Sequence, residues 1–236
     1  MGSIVAKPTH RPRIIELIGP AGAGKSAVAD ELGRLPGVLC TSIWRVPVAE
    51  LAWATVCTIP SAAMLVRRAR APLSRELRHI ARLRALLNFL DRDGLSAYSH
   101  VVLDEGAIYT LAWLQVIGHH AFSDQRTQSW RHYVAALWAA QLDEVVRLDA
   151  PDTVLGQRLR SRAKLHVLSH APDRAVTAFS MRYRSAFAAT LGLVQRHGRF
   201  ALRDFRTDRW SPAEIAHQII SGTATEPLPV REVAHG

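Results

Sequence analysis

Eight consecutive residues, Gly19-Pro20-Ala21-Gly22-Ala23-Gly24-Lys25-Ser26, satisfy the pattern G-x-x-x-x-G-K-[ST] at every fixed position. Such a loop has a definite chemistry. Its glycines let backbone N–H groups turn inward around phosphate oxygens, and a helix starting at its end adds partial positive charge. Gly19, Ala21, Gly22, Ala23, Gly24, Lys25, Ser26 and Ala27 are therefore the expected nucleotide cradle. Lys25 would reach the β- and γ-phosphates, and the Ser26 hydroxyl would ligate Mg²⁺. Lys25 is one of only three lysines in a chain with 30 basic side chains, so a lysine at this position reads as chemically required.

Two further groups suit phosphate chemistry. His100-Val101-Val102-Leu103-Asp104 is a β-branched run that ends in an acid. An acid at the carboxyl end of a parallel strand stands where open α/β sheets bind ligands. Asp104 is expected to hold Mg²⁺ through water or to accept the proton of an attacking hydroxyl. Glu105, beside it, is a substrate-side candidate. Arg158 and Arg162 are four residues apart and share one helical face. Two guanidinium groups projecting together suit a phosphoryl group whose charge shifts during transfer. The catalytic set is thus Lys25, Asp104, Arg158 and Arg162, with Ser26 and Asp104 at the metal. His119 and His120 are adjacent on a loop and have no acidic or cysteine partner at ligand spacing, so they read as exposed loop residues.

These groups need an alternating scaffold. Arg13–Ile18 is an apolar run of strand length, and residues downstream of the loop have helix-forming composition up to a turn at Pro36-Gly37. Val38–Thr41, His100–Asp104, 143–149 and 199–205 read as four more strands. From 44 to 72 the chain is apolar, and Pro47, Pro60 and Pro72 are expected to cut it into short helices. Within it, 51–66 falls short of the ~20 residues a membrane helix needs and reads as a buried helix pair or acceptor-pocket wall. Residues 73–93 form an amphipathic helix with Leu77, Ile80, Leu83, Leu87 and Leu90 on one face, and Arg75, Arg78, Arg82 and Arg92 on a solvated side. A helical stretch over 107–142 breaks around 118–124. Asp152 is placed to cap the helix carrying Arg158. Residues 166–173 read as a loop, and 174–196 as a long helix with Phe179, Tyr183 and Phe187 as a packing stripe. Ser211 caps a closing helix with Pro212 at its first position.

Five strands interleaved with helices predict an α/β, three-layer fold, its five-stranded parallel sheet covered by helices on both faces. Residues 1–12 and 223–236 read as tails of one domain over 13–222. Within it, 44–98 is assigned to the acceptor and 152–175 to a lid.

Composition narrows the partners. The chain has 236 residues, 48% of them hydrophobic, enough for a full core; its net charge is +10 and its pI about 10.7. The arginines are spread along the chain with no block of like charge, which argues against nucleic acid as the main partner. The N-terminal residues lack the apolar core of a secretory signal, and Cys40 and Cys57 stand at no metal or redox spacing. They read as buried thiols of a cytoplasmic protein with no membrane partner.

At three patches the chain resembles the nucleoside and nucleotide kinase group of phosphate-loop enzymes, thymidylate and deoxynucleoside kinases in particular. The patches are the loop Gly19 to Ser26, the strand Val101-Val102-Leu103-Asp104, and Leu148-Asp149-Ala150-Pro151-Asp152 followed by Leu155, Arg158 and Arg162. The resemblance implies a five-stranded parallel sheet, ATP with Mg²⁺ as donor, lid arginines at 158 and 162, and Asp104 as base or metal-water ligand. Two departures stand out. Glu105 occupies the position where that group carries an acceptor-binding arginine, and the paired lid glutamates of deoxynucleoside kinases are missing. Trp44 and Trp53 fall where the group keeps its acceptor pocket and suit an aromatic or amphipathic acceptor. The expected function is an ATP- and Mg²⁺-dependent small-molecule kinase acting on a nucleoside, nucleotide or specialised metabolite, with a homodimer compatible. An accessory ATPase or switch, using 44–72 as a partner surface, is the alternative.

Overall fold

The computed structural model describes residues 11–123, 125–161, 168 and 171–222. Along them run β1 (Arg13–Ile18), α1 (Lys25–Gly33), β2 (Val38–Thr41), α2 (Val48–Ala69), α3 (Ser74–Leu90), β3 (His100–Asp104), α4 (Ala107–Val116), α5 (Gln128–Ala139), β4 (Glu144–Asp149), α6 (Asp152–Arg160), α7 (Asp173–Gln195), β5 (Ala201–Arg206) and α8 (Pro212–Ser221). All strand pairs are parallel, in the order β2-β3-β1-β4-β5.

Strand alternation decides which face each residue serves. Ile14 and Ile18 of β1 join one apolar cluster with residues of α3, α4, α5 and α7, while Ile15 and Leu17 join another with α1, α6 and α8. The sheet is thus covered on both faces, as an all-parallel sheet requires. The chain leaves β1 through α1 toward β2 at one edge, and leaves β3 through α4 and α5 toward β4 beyond β1. The loops after β1 and β3 therefore part in opposite directions, and a crevice opens between their carboxyl ends.

Ion pairs tie the lower rim together. Glu144 is fully buried at the start of β4 and pairs with Arg13 at 2.9 Å and with Arg203. Arg203 also donates to the Gln218 and Ile219 carbonyls, closing the C-terminal end of α8 onto the sheet. At its other end α8 carries the expected cap: the Ser211 hydroxyl accepts from Glu214 N while the Glu214 carboxylate accepts from Ser211 N.

Several expectations are corrected. Pro60 does not divide the apolar run; α2 is one 22-residue helix that passes through it. Pro60 withholds a single N–H from the Val56 carbonyl, and the rest of the helix holds along α3. Only Ala54, Thr58, Leu65 and Ala69 of α2 are buried, a narrow stripe at helical spacing. Val48, Trp53, Val56 and Ile59 lie outside it and are exposed. The segment is therefore neither a buried helix pair nor too short to span a bilayer: by length and composition alone α2 could cross a membrane. Asp152 is the first residue of α6 with no side-chain cap, and its carboxylate pairs instead with Arg184 at 2.8 Å. Cys57 is exposed, whereas Cys40 is partly buried, with its thiol donating to the Ala29 carbonyl. The tails 1–10 and 223–236, and most of 162–170, lie outside the described residues.

Candidate active site

The phosphate loop is built by backbone that only glycine can supply. Gly22 has φ 86°, and a Cβ there would lie 2.9 Å from the Leu155 carbonyl oxygen on α6. At Gly19 a Cβ would lie 2.2 Å from the Leu148 carbonyl oxygen at the end of β4. The loop is thus pressed between β4 and α6 before it enters α1, whose N-terminus faces it. The Lys25 ammonium donates to the carbonyls of Gly19 at 2.8 Å and Pro20 at 3.3 Å, and lies 5.6 Å from the centre of the Tyr109 ring.

Across the crevice, Asp104 ends β3 opposite α1. The Ser26 hydroxyl donates to Asp104 Oδ2 at 3.3 Å. The other oxygen, Oδ1, is buried and has no hydrogen-bond partner among the described residues. A hydroxyl and a carboxylate converging, with one orphaned oxygen, fit a hard cation that takes oxygen ligands, and Mg²⁺ is such a cation.

Glu105 turns the chain from β3 toward α4. Its φ is 71°, a left-handed conformation that a side chain adopts only at a cost of about 1–2 kcal/mol. Two contacts hold it there. Its carbonyl accepts from Ile43 N at 3.3 Å, and its Oε2 accepts from the Trp44 indole N–H at 2.6 Å. The Arg82 guanidinium, from α3, lies 4.6 Å from the centre of the Trp44 ring and donates to the Ile43 carbonyl. His79 meets Trp44 edge-on at 5.1 Å and stacks on Trp113 of α4 at 3.8 Å. Arg75 covers Trp113 at 4.8 Å. Arg75 and Arg82 therefore serve the aromatic wall rather than a merely solvated face, whereas Arg78 is exposed as expected.

Two clefts meet at this point. One, of about 290 Å³, follows the phosphate loop and is closed by Arg158, Phe179 and Tyr183. The other, of about 710 Å³, is lined by Asp30, Thr41, Ser42, Trp44, Arg45, His79 and Trp113 among others. Ser26, Asp104, Glu105 and Tyr109 line both.

The structure thus brings Lys25, Ser26, Asp104, Glu105, Trp44 and Arg158 together. Arg158 reaches back from α6, donating to the Thr207 hydroxyl and carbonyl at 2.7 Å each and to the Gly22 carbonyl at 3.4 Å. Arg162 lies outside the described residues. Trp53 is not brought in: it is 64% exposed and lines neither cleft. One residue before buried Ala54, it is turned about 100° from the stripe that packs.

Glu16 and a set of rings were missed. Glu16 is fully buried in β1, and its two carboxylate oxygens accept from Ile108 N at 3.1 Å and Tyr109 N at 2.9 Å, the first turn of α4. Burial pushes its carboxyl up to about 7, against the pull of these backbone donors. A Cβ at Gly106 would lie 2.7 Å from the carboxyl carbon, so Gly106 makes room for it. The available signal was a lone charge inside an apolar strand. Tyr109, Tyr183, Phe179, His79 and Trp113 gave no such signal, because helical periodicity marks them only as core. Tyr183 and Phe187 do pack in the core, but Tyr183 and Phe179 also line the smaller cleft.

No family model matches the chain, and no curated protein matches it by sequence. Solved structures match by shape. Deoxyadenosine kinase from M. mycoides with bound dATP aligns over 90% of this chain and 100% of that one, with TM-score 0.52 and 13% identity. The same enzyme with bound dCTP aligns over 89% and 100%, with TM-score 0.51 and 12% identity. The chain shares with these structures its fold, a five-stranded parallel sheet covered by helices on both faces.

Proposed function

We propose that the protein is a phosphotransferase that moves the γ-phosphoryl group of ATP to a hydroxyl or phosphate of a small acceptor. The observation that carries this reading is the junction of the two clefts: a phosphate cradle and a larger chamber share Ser26, Asp104, Glu105 and Tyr109. A donor phosphate and an acceptor oxygen can therefore meet at one place.

The phosphate oxygens replace the Gly19 and Pro20 carbonyls as partners of Lys25. Lys25, the N-terminus of α1 and Arg158 then oppose the charge that builds on the transferring group. The acceptor oxygen forms a bond to the γ-phosphorus while the bond to the bridging oxygen breaks, and ADP leaves with that electron pair. The acceptor proton passes to Asp104. Mg²⁺, when held by Ser26 and by Asp104 through water, supplies further neutralisation of phosphate charge. Phe179, Tyr183 and Tyr109 exclude water from the cradle, which favours transfer over hydrolysis.

A second reading draws on α2. Its exposed Val48, Trp53, Val56 and Ile59 suit a protein partner, with nucleotide hydrolysis resetting the partner's grip. Label transfer from γ-labelled ATP to a panel of nucleosides, nucleoside monophosphates and hydroxylated antibiotics separates the two. Label on one acceptor, abolished by Lys25→Ala, supports the phosphotransferase. Free phosphate released regardless of acceptor, and still dependent on Lys25, supports the accessory ATPase.

A further inference from the structure

The helix α2 carries two stripes at helical spacing, and they meet different surroundings. Ala54, Thr58, Leu65 and Ala69 are buried where α2 packs along α3. Turned about 180° from them are Ala49, Ala52, Val56, Ile59, Pro60 and Ala63, every one exposed. Trp53 borders this second stripe and is exposed as well. From Leu51 to Val66 the sequence has no charged residue. Glu50, just before that run, is turned inward, its side chain 13% exposed and paired with Arg92. At the other end Arg67 falls on the line of the exposed stripe, with Arg68 and Arg70 beside it, all three exposed. Toward α5, Cys57 lines an apolar groove with Leu83, Trp130 and Tyr133, and Cys57 and Tyr133 are themselves exposed. The apolar surface thus extends past α2, and its one charged end is basic.

We propose that this face docks the protein on an anionic membrane surface, with α2 lying in the plane of the lipid headgroups. Val56, Ile59 and their neighbours enter the boundary between headgroups and acyl chains. Trp53 and Tyr133 suit that boundary, since each ring is apolar with one polar group. Arg67, Arg68 and Arg70 meet lipid phosphates, and the net charge of +10 draws the whole chain to the same surface. By length and composition α2 could cross a bilayer, but crossing would strip its buried stripe from α3, so it lies on the membrane. A second copy of this chain fits the charges less well. Antiparallel pairing of α2 centred on Val56 would carry Arg67 of each copy to the end that Arg45 precedes, setting like charges together. An acidic lipid surface matches the basic end without that cost. The inference stands apart from the phosphotransferase reading, because docking needs no nucleotide.

The test is flotation of the full chain, without nucleotide, with vesicles of phosphatidylcholine or of equal parts phosphatidylcholine and phosphatidylglycerol. The chain should bind the mixed vesicles about tenfold tighter than the neutral ones, and added salt should weaken that binding. Val56→Glu and Ile59→Glu, both at exposed positions, should each cut binding by about tenfold or more. Arg67→Ala combined with Arg70→Ala should remove most of the preference for the mixed vesicles. Met181→Glu, at an exposed apolar residue of α7, should bind as the native chain does. Thermal unfolding checks that each variant folds, and Val56→Ser replaces a glutamate variant that does not. Absence of vesicle binding, equal binding to both vesicles, binding intact in both stripe variants, or an equal loss in Met181→Glu would overturn the proposal. A chain that ignores vesicles but forms a dimer, split by Val56→Glu in light scattering, would assign the face to a second copy instead.

Discussion

The Trp44 indole donates to Glu105 Oε2 at 2.6 Å, across 61 residues of sequence. This bond, together with Ile43 N donating to the Glu105 carbonyl, latches the loop after β2 onto the end of β3. It turns one wall of the larger cleft toward the acid that ends the neighbouring strand. Glu105 holds its left-handed backbone in the same turn, so the strained residue and the latch are one device.

Trp44→Phe keeps the ring and removes the N–H. The acceptor KM should rise about tenfold, the effect of losing a hydrogen bond to a charged group, while the ATP KM stays within about twofold. Steady-state kinetics with each substrate varied in turn checks this split. A rise confined to the ATP KM would place Trp44 on the donor side instead.

Lys25→Ala should lower kcat by at least about 10²-fold, because Lys25 acts on charge that develops during transfer. The melting temperature should move by no more than about 2 °C, since the contacts of the side chain include two loop carbonyls and the face of the Tyr109 ring rather than the apolar core. Turnover combined with thermal unfolding measures both. A variant that unfolds early would show that the lysine holds the loop together rather than serving the reaction.

Glu16 should make stability depend on pH in a window set by its shift. Its folded-state pKa, about 7, lies above the ordinary carboxyl value of 4.5 because the group is buried. Between these values the folded protein keeps a proton that the unfolded chain releases, so stability falls as pH rises and levels off above about 7. The full swing is about 3 kcal/mol at most, at about 1.4 kcal/mol per pKa unit. Urea unfolding of the native chain and of Glu16→Gln from pH 4 to 8 provides the check. The slope should flatten in the variant, and an unchanged slope would assign it to another group.

Pro60→Ala should stabilise the protein by about 1–3 kcal/mol, since alanine restores the N–H for the Val56 carbonyl and removes the ring from a helix interior. Pro60 is exposed, so no core packing is lost. Thermal unfolding decides it. A destabilised Pro60→Ala would mean that the proline fits a bend the helix needs.

Much of the architecture was readable before any coordinates. Strand, loop and helix around Gly19–Ser26 announced themselves, as did the acid closing β3 and the capping box at Ser211 and Glu214. That Lys25, Ser26 and Asp104 meet at one crevice depends on β1 and β3 being neighbours, an order that the sequence did not supply. Trp53 and Trp44 looked equivalent in sequence, yet only Trp44 reaches the cleft. Pro60 looked like a helix boundary, yet the packing of α2 on α3 overrode it.

What the sequence determined by itself was local: φ angles that need glycine, an apolar period, a cap, a motif of fixed spacing. Each is decided by atoms within a few residues of one another, so neighbouring letters suffice to read it. Only the tertiary structure decided which face of α2 is covered, that Glu16 lies beneath the first turn of α4 some 92 residues on, and that Arg75 and Arg82 serve tryptophan rings. Those outcomes depend on burial and on charges meeting across the sheet. A buried carboxylate and an exposed indole acquire their meaning from neighbours that chain order does not name.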